Sequence, residues 1–368
     1  MARTLDVLGA GVIGLSIAWR AAQRGWSVRL FDPRLDGVLR QGASASWVAG
    51  GMLAPFSEAW PGHAALLRLG MRSLERWPGF ADELAGFAPD GVFAARETIV
   101  VGATASDLQA LDPGFEFARS VGLDWQRRTR AELRQIEPGL AADARGGWFL
   151  PEEPAADNRA LLAALAEAAR SAGAQLVAHS LPELPRSGAD CVVVAAGAGT
   201  PALLPGLPVR PVKGEILRLA ASPRTVGAPQ RTIRALVRGR HVYLVPRRDG
   251  VVVGATELEG DERAAVAAQS VFELLSDATS IFPGLADYDF VEASAGFRPV
   301  TPDRCPVLGW AGPEAVGRCL VATGHGRDGM LLAPLTADLA VALLENEQVG
   351  GPEEEALRAM DPARFSVR

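Results

Sequence analysis

Four groups of residues in this 368-residue chain have types and spacings that suit chemistry. Gly9, Gly11 and Gly14 form a G-x-G-x-x-G behind the apolar run Leu5 to Leu8. Glycines so spaced make a tight turn, let backbone approach a pyrophosphate, and let a helix pack closely on a strand. Far along the chain, Gly324-His325-Gly326-Arg327-Asp328-Gly329 sets a fixed cation among glycines, between an apolar strand ending at Thr323 and an apolar helix. Tyr243 lies in HVYLVPRRDGVVVGAT, 241–256, on one face with His241 and Val245 if the strand is regular. Arg298 ends an alternating run, Val291, Ala293, Ala295 and Phe297, and stands directly before Pro299, which is expected to stop regular pairing. Lys213 is the only lysine among 37 basic residues, so an average arginine here says little. An arginine closing an apolar strand before proline says more.

These groups need elements to hold them. Val12 and Ile13 open a helix with Ile13, Ile17 and Ala21 on one side and Gly25 as its stop. Free N–H groups and the positive dipole end there suit phosphates. A second apolar strand, Val28 to Phe31, ends at Asp32, which is placed to accept hydrogen bonds from ribose hydroxyls. Strand, glycines, helix, strand and acid together indicate dinucleotide binding, without choosing FAD over NAD. Two further glycine-rich pieces bear on that choice. GASASWVAGGMLAP, 42–55, carries the hydroxyls of Ser44 and Ser46 before Gly50 and Gly51, and CVVVAAGAGT, 191–200, is a β-branched strand running into a turn at Ala196 and Gly197. Three separated glycine-rich strand ends imply a long ligand draped across one sheet, which favours FAD. Arg247-Arg248-Asp249-Gly250 between two apolar runs indicates a hairpin.

Composition is that of a globular protein of about two domains, 48% hydrophobic and 22% charged. A net charge of -6 and a pI near 5.4 speak against a nucleic-acid partner or an anionic membrane surface. Cys191, Cys305 and Cys319 are too widely spaced for a metal-ligand pattern and read as buried or incidental thiols. Met330 to Leu344 contains Pro334 and Asp338 and is too short to span a bilayer. With the start of the chain running straight into a strand, a cytoplasmic protein is expected.

The segments LGAGVIG, ASWVAGGMLAP, PVKGE, HVYLVPRRDGVVVGAT, SAGFRPVTPDRCPVLG and GHGRDGMLLAP span nearly the whole chain. In this order they resemble the D-amino-acid oxidase superfamily of flavoproteins, most closely the glycine oxidases linked to thiamine biosynthesis. The resemblance implies noncovalent FAD, with Cys305 not a tether. It makes Arg298 the two-pronged anchor of a substrate carboxylate, and a contact of the flavin as well. Tyr243 is its hydrogen-bonding partner, while Met52 and His241 are pocket walls, His241 not acting as a base. It lays the turn from His325 and Gly326 through Asp328, Gly329 and Met330 over the flavin. Arg327 then stands at the ring edge as an electrostatic contact, with a surface ion pair as its alternative role. The implied reaction passes a hydride from the α-carbon of glycine or another small amino acid or amine to flavin N5. Dioxygen then takes the electrons, giving hydrogen peroxide, and the imine supplies thiamine thiazole synthesis. No general base is evident near these segments. The sequence departs from the family at Gly326, where many relatives carry an aromatic residue, at Asp328, where Asn is usual, and in a short link at 178–190 that omits much of a β-ribbon.

The expected fold is α/β, with α+β character. A Rossmann-like FAD-binding domain (1–79, 137–211 and 294–368) would be interrupted by a discontinuous mixed-sheet substrate domain (80–136 and 212–293). A D-amino-acid dehydrogenase with another electron acceptor, a non-catalytic flavin-binding subunit and a tRNA-modifying relative remain as alternatives. A homo-oligomer is compatible with the sequence.

Overall fold

The computed structural model describes residues 2–35, 44–185, 188–225, 227–312 and 318–365. Residues 42 and 43 of the serine–glycine segment and 186 and 187 of the short link lie outside these.

Thr4–Leu8 and Ser27–Phe31 pair in parallel around the helix Val12–Gln23, as the first motif implies. Gly25, at φ +80°, provides the turn after that helix. The sheet runs Val307–Trp310, Cys319–Thr323, Cys191–Val194, Thr4–Leu8, Ser27–Phe31, Gln175–Val177, with only Val307–Trp310 antiparallel to its neighbour. The inner strands Cys191–Val194 and Cys319–Thr323 are buried on both faces, whereas Ser27–Phe31 exposes Ser27 and Arg29; helices cover one face, and Leu181, Leu184, Leu203 and Leu204 pack on the other. One covering helix, Gly329–Glu345, is buried almost all round and correspondingly apolar. Pro334 lies inside it, and its Leu331 carbonyl accepts from Ser73 Oγ (2.6 Å) and Trp77 Nε1 (2.9 Å) of the neighbouring helix Ala64–Leu84. Among the described residues no helix is long and apolar enough to cross a membrane.

The second sheet has nine strands and is mixed. At its centre Arg240–Arg247 and Gly250–Gly254 form the expected hairpin. Arg210–Ala220 pairs with Gly250–Gly254 and, along its whole length, with Asp289–Val300. Beyond Thr232–Val237 lie Thr98–Gly102, Gly146–Leu150 and Arg127–Thr129. Gly146–Leu150 and the end of Asp289–Val300 belong to this sheet although the ranges 137–211 and 294–368 assign them to the other domain.

Two sequence expectations fail on Asp289–Val300. Pairing does not stop at Pro299, because Pro299 stands opposite Pro211, a rung where neither residue has an N–H to offer. Val291 leaves the apolar face, since the register shifts between Arg218 and Leu219 and Val291 ends 61% exposed.

Candidate active site

Gly9 adopts φ +108°, and a Cβ there would lie 2.4 Å from the Ala195 carbonyl oxygen. A Cβ on Gly14 would lie 1.8 Å from Gly9 O, so this glycine lets helix and strand close together. Gly11 differs. Within 4 Å its added Cβ would meet only Ser46 Oγ, at 3.2 Å, and the space beyond is a cavity of about 1180 Å³. Ser46 Oγ accepts from the Val12 N–H (3.0 Å) at the mouth of the helix. All the candidate cofactor and catalytic residues line this cavity except Gly14 and Asp32.

Asp32 sits where the sequence places it, at the end of Ser27–Phe31, but it is spent on protein donors. It accepts from the N–H groups of Ala10 and Arg34 (both 2.9 Å) and from Arg34 Nε and Nη2 (2.8 and 2.6 Å). Burial pushes its carboxyl up, but Arg34 and the two N–H groups outweigh that and hold it below the usual range. Arg34, not Asp32, reaches the cavity wall.

At the far end, Gly324 (φ +75°) and Gly326 (φ +55°) turn the chain between Cys319–Thr323 and Gly329–Glu345. The turn is pinned to the second sheet, where Gly326 N–H donates to Pro299 O (2.8 Å). Buried His325 shares a hydrogen bond with Thr336 Oγ1 (3.0 Å), and burial pushes its imidazole down to about 3, so it stays neutral. The first helical residues, Gly329 to Leu331, line the cavity and present the positive end of the helix to it.

Tyr243 and Arg298 enter the same space from the second sheet. The Tyr243 ring lies against two glycines. A Cβ on Gly50 would sit 2.7 Å from Cε2, and one on Gly254 would sit 2.4 Å from Cζ. Burial pushes its phenol up. The Arg298 guanidinium crosses Gly214, where a Cβ would lie 2.4 Å from Nη2. It donates to Thr256 O (3.1 Å) and forms no ion pair among the described residues. Burial lowers its pKa, the signature of a cation short of solvent and of a counter-ion. His241 shares the Tyr243 face and is still exposed at the cavity wall, and partial loss of solvent around the ring followed by the charges of Arg234 and Arg327 holds it below its usual range. Met52 lines the wall beside Ala155 and Tyr243.

Arg327 is less free than the ring-edge role requires. Its guanidinium pairs with Glu257, and its Nε faces Glu58 Oε2 at 3.6 Å. Glu58 also meets Arg234 Nη2 at 3.2 Å, and with its side chain 14% exposed it faces the cavity. Burial would raise the Glu58 carboxyl, but Arg234 and Arg327 bring it below the usual range. Burial and then the charge of Glu58 push the neighbouring Asp328 up to about 7. Two carboxyls, Glu58 and Asp328, therefore border the site, where the sequence made no general base evident. Nothing in the pattern around APFSEAW singles out Glu58, and Arg234 is hidden by the arginine-rich composition.

The site fits FAD. Gly11 leaves open the place where a Cβ would intrude, two helix N-termini, at Val12 and Gly329, line the cavity, and small residues such as Gly50, Ala196 and Gly197 line it with them.

Comparison with known proteins agrees. The family model described as FAD dependent oxidoreductase matches residues 7–343. A putative thiamine biosynthesis oxidoreductase ThiO from Rhizobium etli is 35% identical over 352 residues, covering 95% of this chain and 98% of its own. A bifunctional protein ThiO/ThiG from a Nostoc species is 33% identical over 379 residues, covering 95% of this chain but 53% of its own. The chain thus spans about half the length of the bifunctional relatives it matches. The crystal structure of glycine oxidase from Geobacillus kaustophilus superposes with a TM-score of 0.84 at 30% identity, covering 100% of this chain and 99% of that one. With its glycine cradle, its mixed second sheet and these matches, the chain belongs to the FAD-dependent oxidoreductases of the D-amino-acid oxidase family, of the glycine oxidase and ThiO type.

Proposed function

We propose that this chain catalyses the oxidative deamination of glycine or another small amino acid or amine. The observation that carries this reading is Arg298, a half-buried guanidinium with no carboxylate partner among the described residues, beside the Tyr243 hydroxyl on the cavity wall. A substrate carboxylate completes it, through paired charge-assisted hydrogen bonds to Arg298 and one from Tyr243. FAD, when bound, supplies the acceptor for a hydride from the substrate α-carbon and passes the electrons to dioxygen, giving hydrogen peroxide. The residues of the chain orient. Arg298 and Tyr243 fix the acid end, so that the α-carbon hydrogen points along the cavity toward the turn 324–329. Met52 and His241 close the wall, and Asp328, its carboxyl raised by burial and by the charge of Glu58, is the group placed to receive the proton an incoming ammonium must lose. Arg327 is the local counter-charge to Glu58. On this reading the first sheet and its helices hold the cofactor and the second sheet holds the substrate.

The product is an imine, which hydrolyses to an oxo acid or passes to thiazole assembly. The names of the ThiO and ThiO/ThiG relatives favour the second fate. A cytoplasmic setting accords with the three free cysteines.

The test is anaerobic mixing of the FAD-loaded protein with glycine, sarcosine and small D-amino acids, followed by aerobic turnover. Bleaching of the flavin and stoichiometric peroxide are expected. Dye reduction with negligible peroxide would instead point to a dehydrogenase. Arg298→Ala should keep its yellow colour and lose about 10- to 150-fold in kcat/KM, since a hydrogen bond to a charged group contributes about 1.5–3 kcal/mol. Unchanged kinetics in that variant would refute the anchor.

A further inference from the structure

Asn158 opens the helix Asn158–Ser171, is fully buried, and lies outside the cavity. Every hydrogen-bonding valence of its amide is used. Nδ2 donates to the carbonyls of Ser46 (2.9 Å) and Trp47 (2.8 Å), and Oδ1 accepts from Arg218 Nη2 (3.0 Å) and Arg247 Nη2 (3.1 Å). Carbonyls on one side and guanidiniums on the other leave one orientation of the amide. Arg247 Nη2 also donates to Gly50 O (2.8 Å), and its Nε faces Asp157 Oδ2 at 3.3 Å. The segment from Ser46 to Gly50 is therefore gripped by three of its carbonyls.

The other side of that segment faces the chemistry. Ser46 Oγ holds the Val12 N–H at the cofactor end, and Gly50 lies against the Tyr243 ring at the substrate end. The two guanidiniums come from separate strands of the second sheet, and Arg247 lies on the strand that carries Tyr243. One amide thus joins the cofactor-side segment, a helix packed on the first sheet, and the substrate sheet. Arg159, Arg218 and Arg247 crowd together there, with Asp157 and Glu292 as counter-charges, and burial together with its two arginine neighbours pushes Arg218 down to about 10. Apolar side chains would join the layers without desolvating three cations. Such a cluster suits a demand for fixed geometry.

We propose that Asn158 is a positioning residue for the oxidation step, setting how far the Ser46–Gly50 segment stands from the Tyr243 strand and hence how the substrate α-carbon meets the cofactor. This rests on the oxidase reading. Asn158→Asp keeps the shape but sets a carboxylate oxygen against two carbonyls. Arg218→Gln loosens the same node from the other side.

The experiment measures the anaerobic rate of flavin reduction at saturating substrate, the substrate Kd and the flavin content of each FAD-loaded variant. The amino acid that bleaches the unsubstituted protein fastest serves as the probe, with and without α-deuteration. Reduction should slow by about tenfold to 100-fold, as expected for a displacement on the order of 1 Å. Substrate Kd and flavin content should hold, and the isotope effect should change. Reduction at the unsubstituted rate in Asn158→Asp overturns the proposal. If that variant does not retain flavin, an undiminished rate in Arg218→Gln overturns it. Weakened substrate binding with an unchanged rate of reduction also overturns it, leaving only a structural role. Should no amino acid bleach the unsubstituted protein, the oxidase reading falls first and takes this inference with it.

Discussion

Gly50 offers a sharp test of the substrate end, because its effect should travel through one hydroxyl. An added Cβ would stand 2.7 Å from Cε2, 2.8 Å from Cζ and 2.9 Å from the hydroxyl oxygen of Tyr243. Carbon atoms rest about 3.5–4.0 Å apart, so in Gly50→Ala the ring must withdraw by roughly 1 Å. It cannot withdraw straight across, since Gly254 lies close to the same ring. The hydroxyl then loses its place opposite the substrate carboxylate. A hydrogen bond to a charged group contributes about 1.5–3 kcal/mol, so kcat/KM should fall by about 10- to 150-fold. Tyr243→Phe removes the same bond and should lose a similar factor. The double variant should be little worse than Tyr243→Phe alone, giving a coupling energy close to the whole Gly50→Ala effect. Peroxide-coupled initial rates, normalised to flavin content, measure all four corners of the cycle. Effects that add to within about 0.5 kcal/mol would show that Gly50 acts elsewhere and would refute the placement of Tyr243.

Other perturbations separate fold from function. Gly11→Val should fold as the apo-protein yet fail to bind FAD, while Gly14→Ala should unfold more easily with or without flavin; circular dichroism melts and flavin titrations compare the two. For Asp328, held near 7 against an ordinary 3.8, the folded chain keeps a proton across that window which the unfolded chain sheds. Stability should therefore fall as pH rises through it, and Asp328→Asn should gain in Tm over the natural chain more at pH 8 than at pH 5. An equal gain at both would contradict the raised carboxyl. Lys213 is fully buried between Glu215 (2.9 Å), Asp261 (3.0 Å) and the Ala265 carbonyl (2.6 Å). Lys213→Ala strands the buried Glu215 and should lose about 3–5 kcal/mol in urea unfolding. Lys213→Arg should also be destabilising, because a planar fork does not fit three acceptors grouped around a point.

Much of the site was legible wherever one residue type had to sit at one place. Gly9 at positive φ, the two-residue turn at Arg248 and Asp249, and Gly324 and Gly326 in the late turn all announce themselves. Arg298 stood out because proline follows it. The rest was hidden for identifiable reasons. Glu58 and Arg234 belong to no periodic pattern, and an arginine-rich composition masks both Arg234 and the pairing of Arg34 with Asp32. A bulge defeats any strict alternation, so Val291 was misplaced. Gly146–Leu150 joins its sheet through long-range pairing with Thr98–Gly102, which local sequence does not encode. Asn158 carries no signal at all, since its meaning lies in four partners drawn from distant segments.

The solitary lysine has one more consequence. With its ammonium enclosed, the native surface among the described residues offers no side-chain amine to acylating reagents. Label arriving at position 213 would date the moment when Arg210–Ala220 parts from its neighbours, so the chain carries its own clock for the opening of the second sheet.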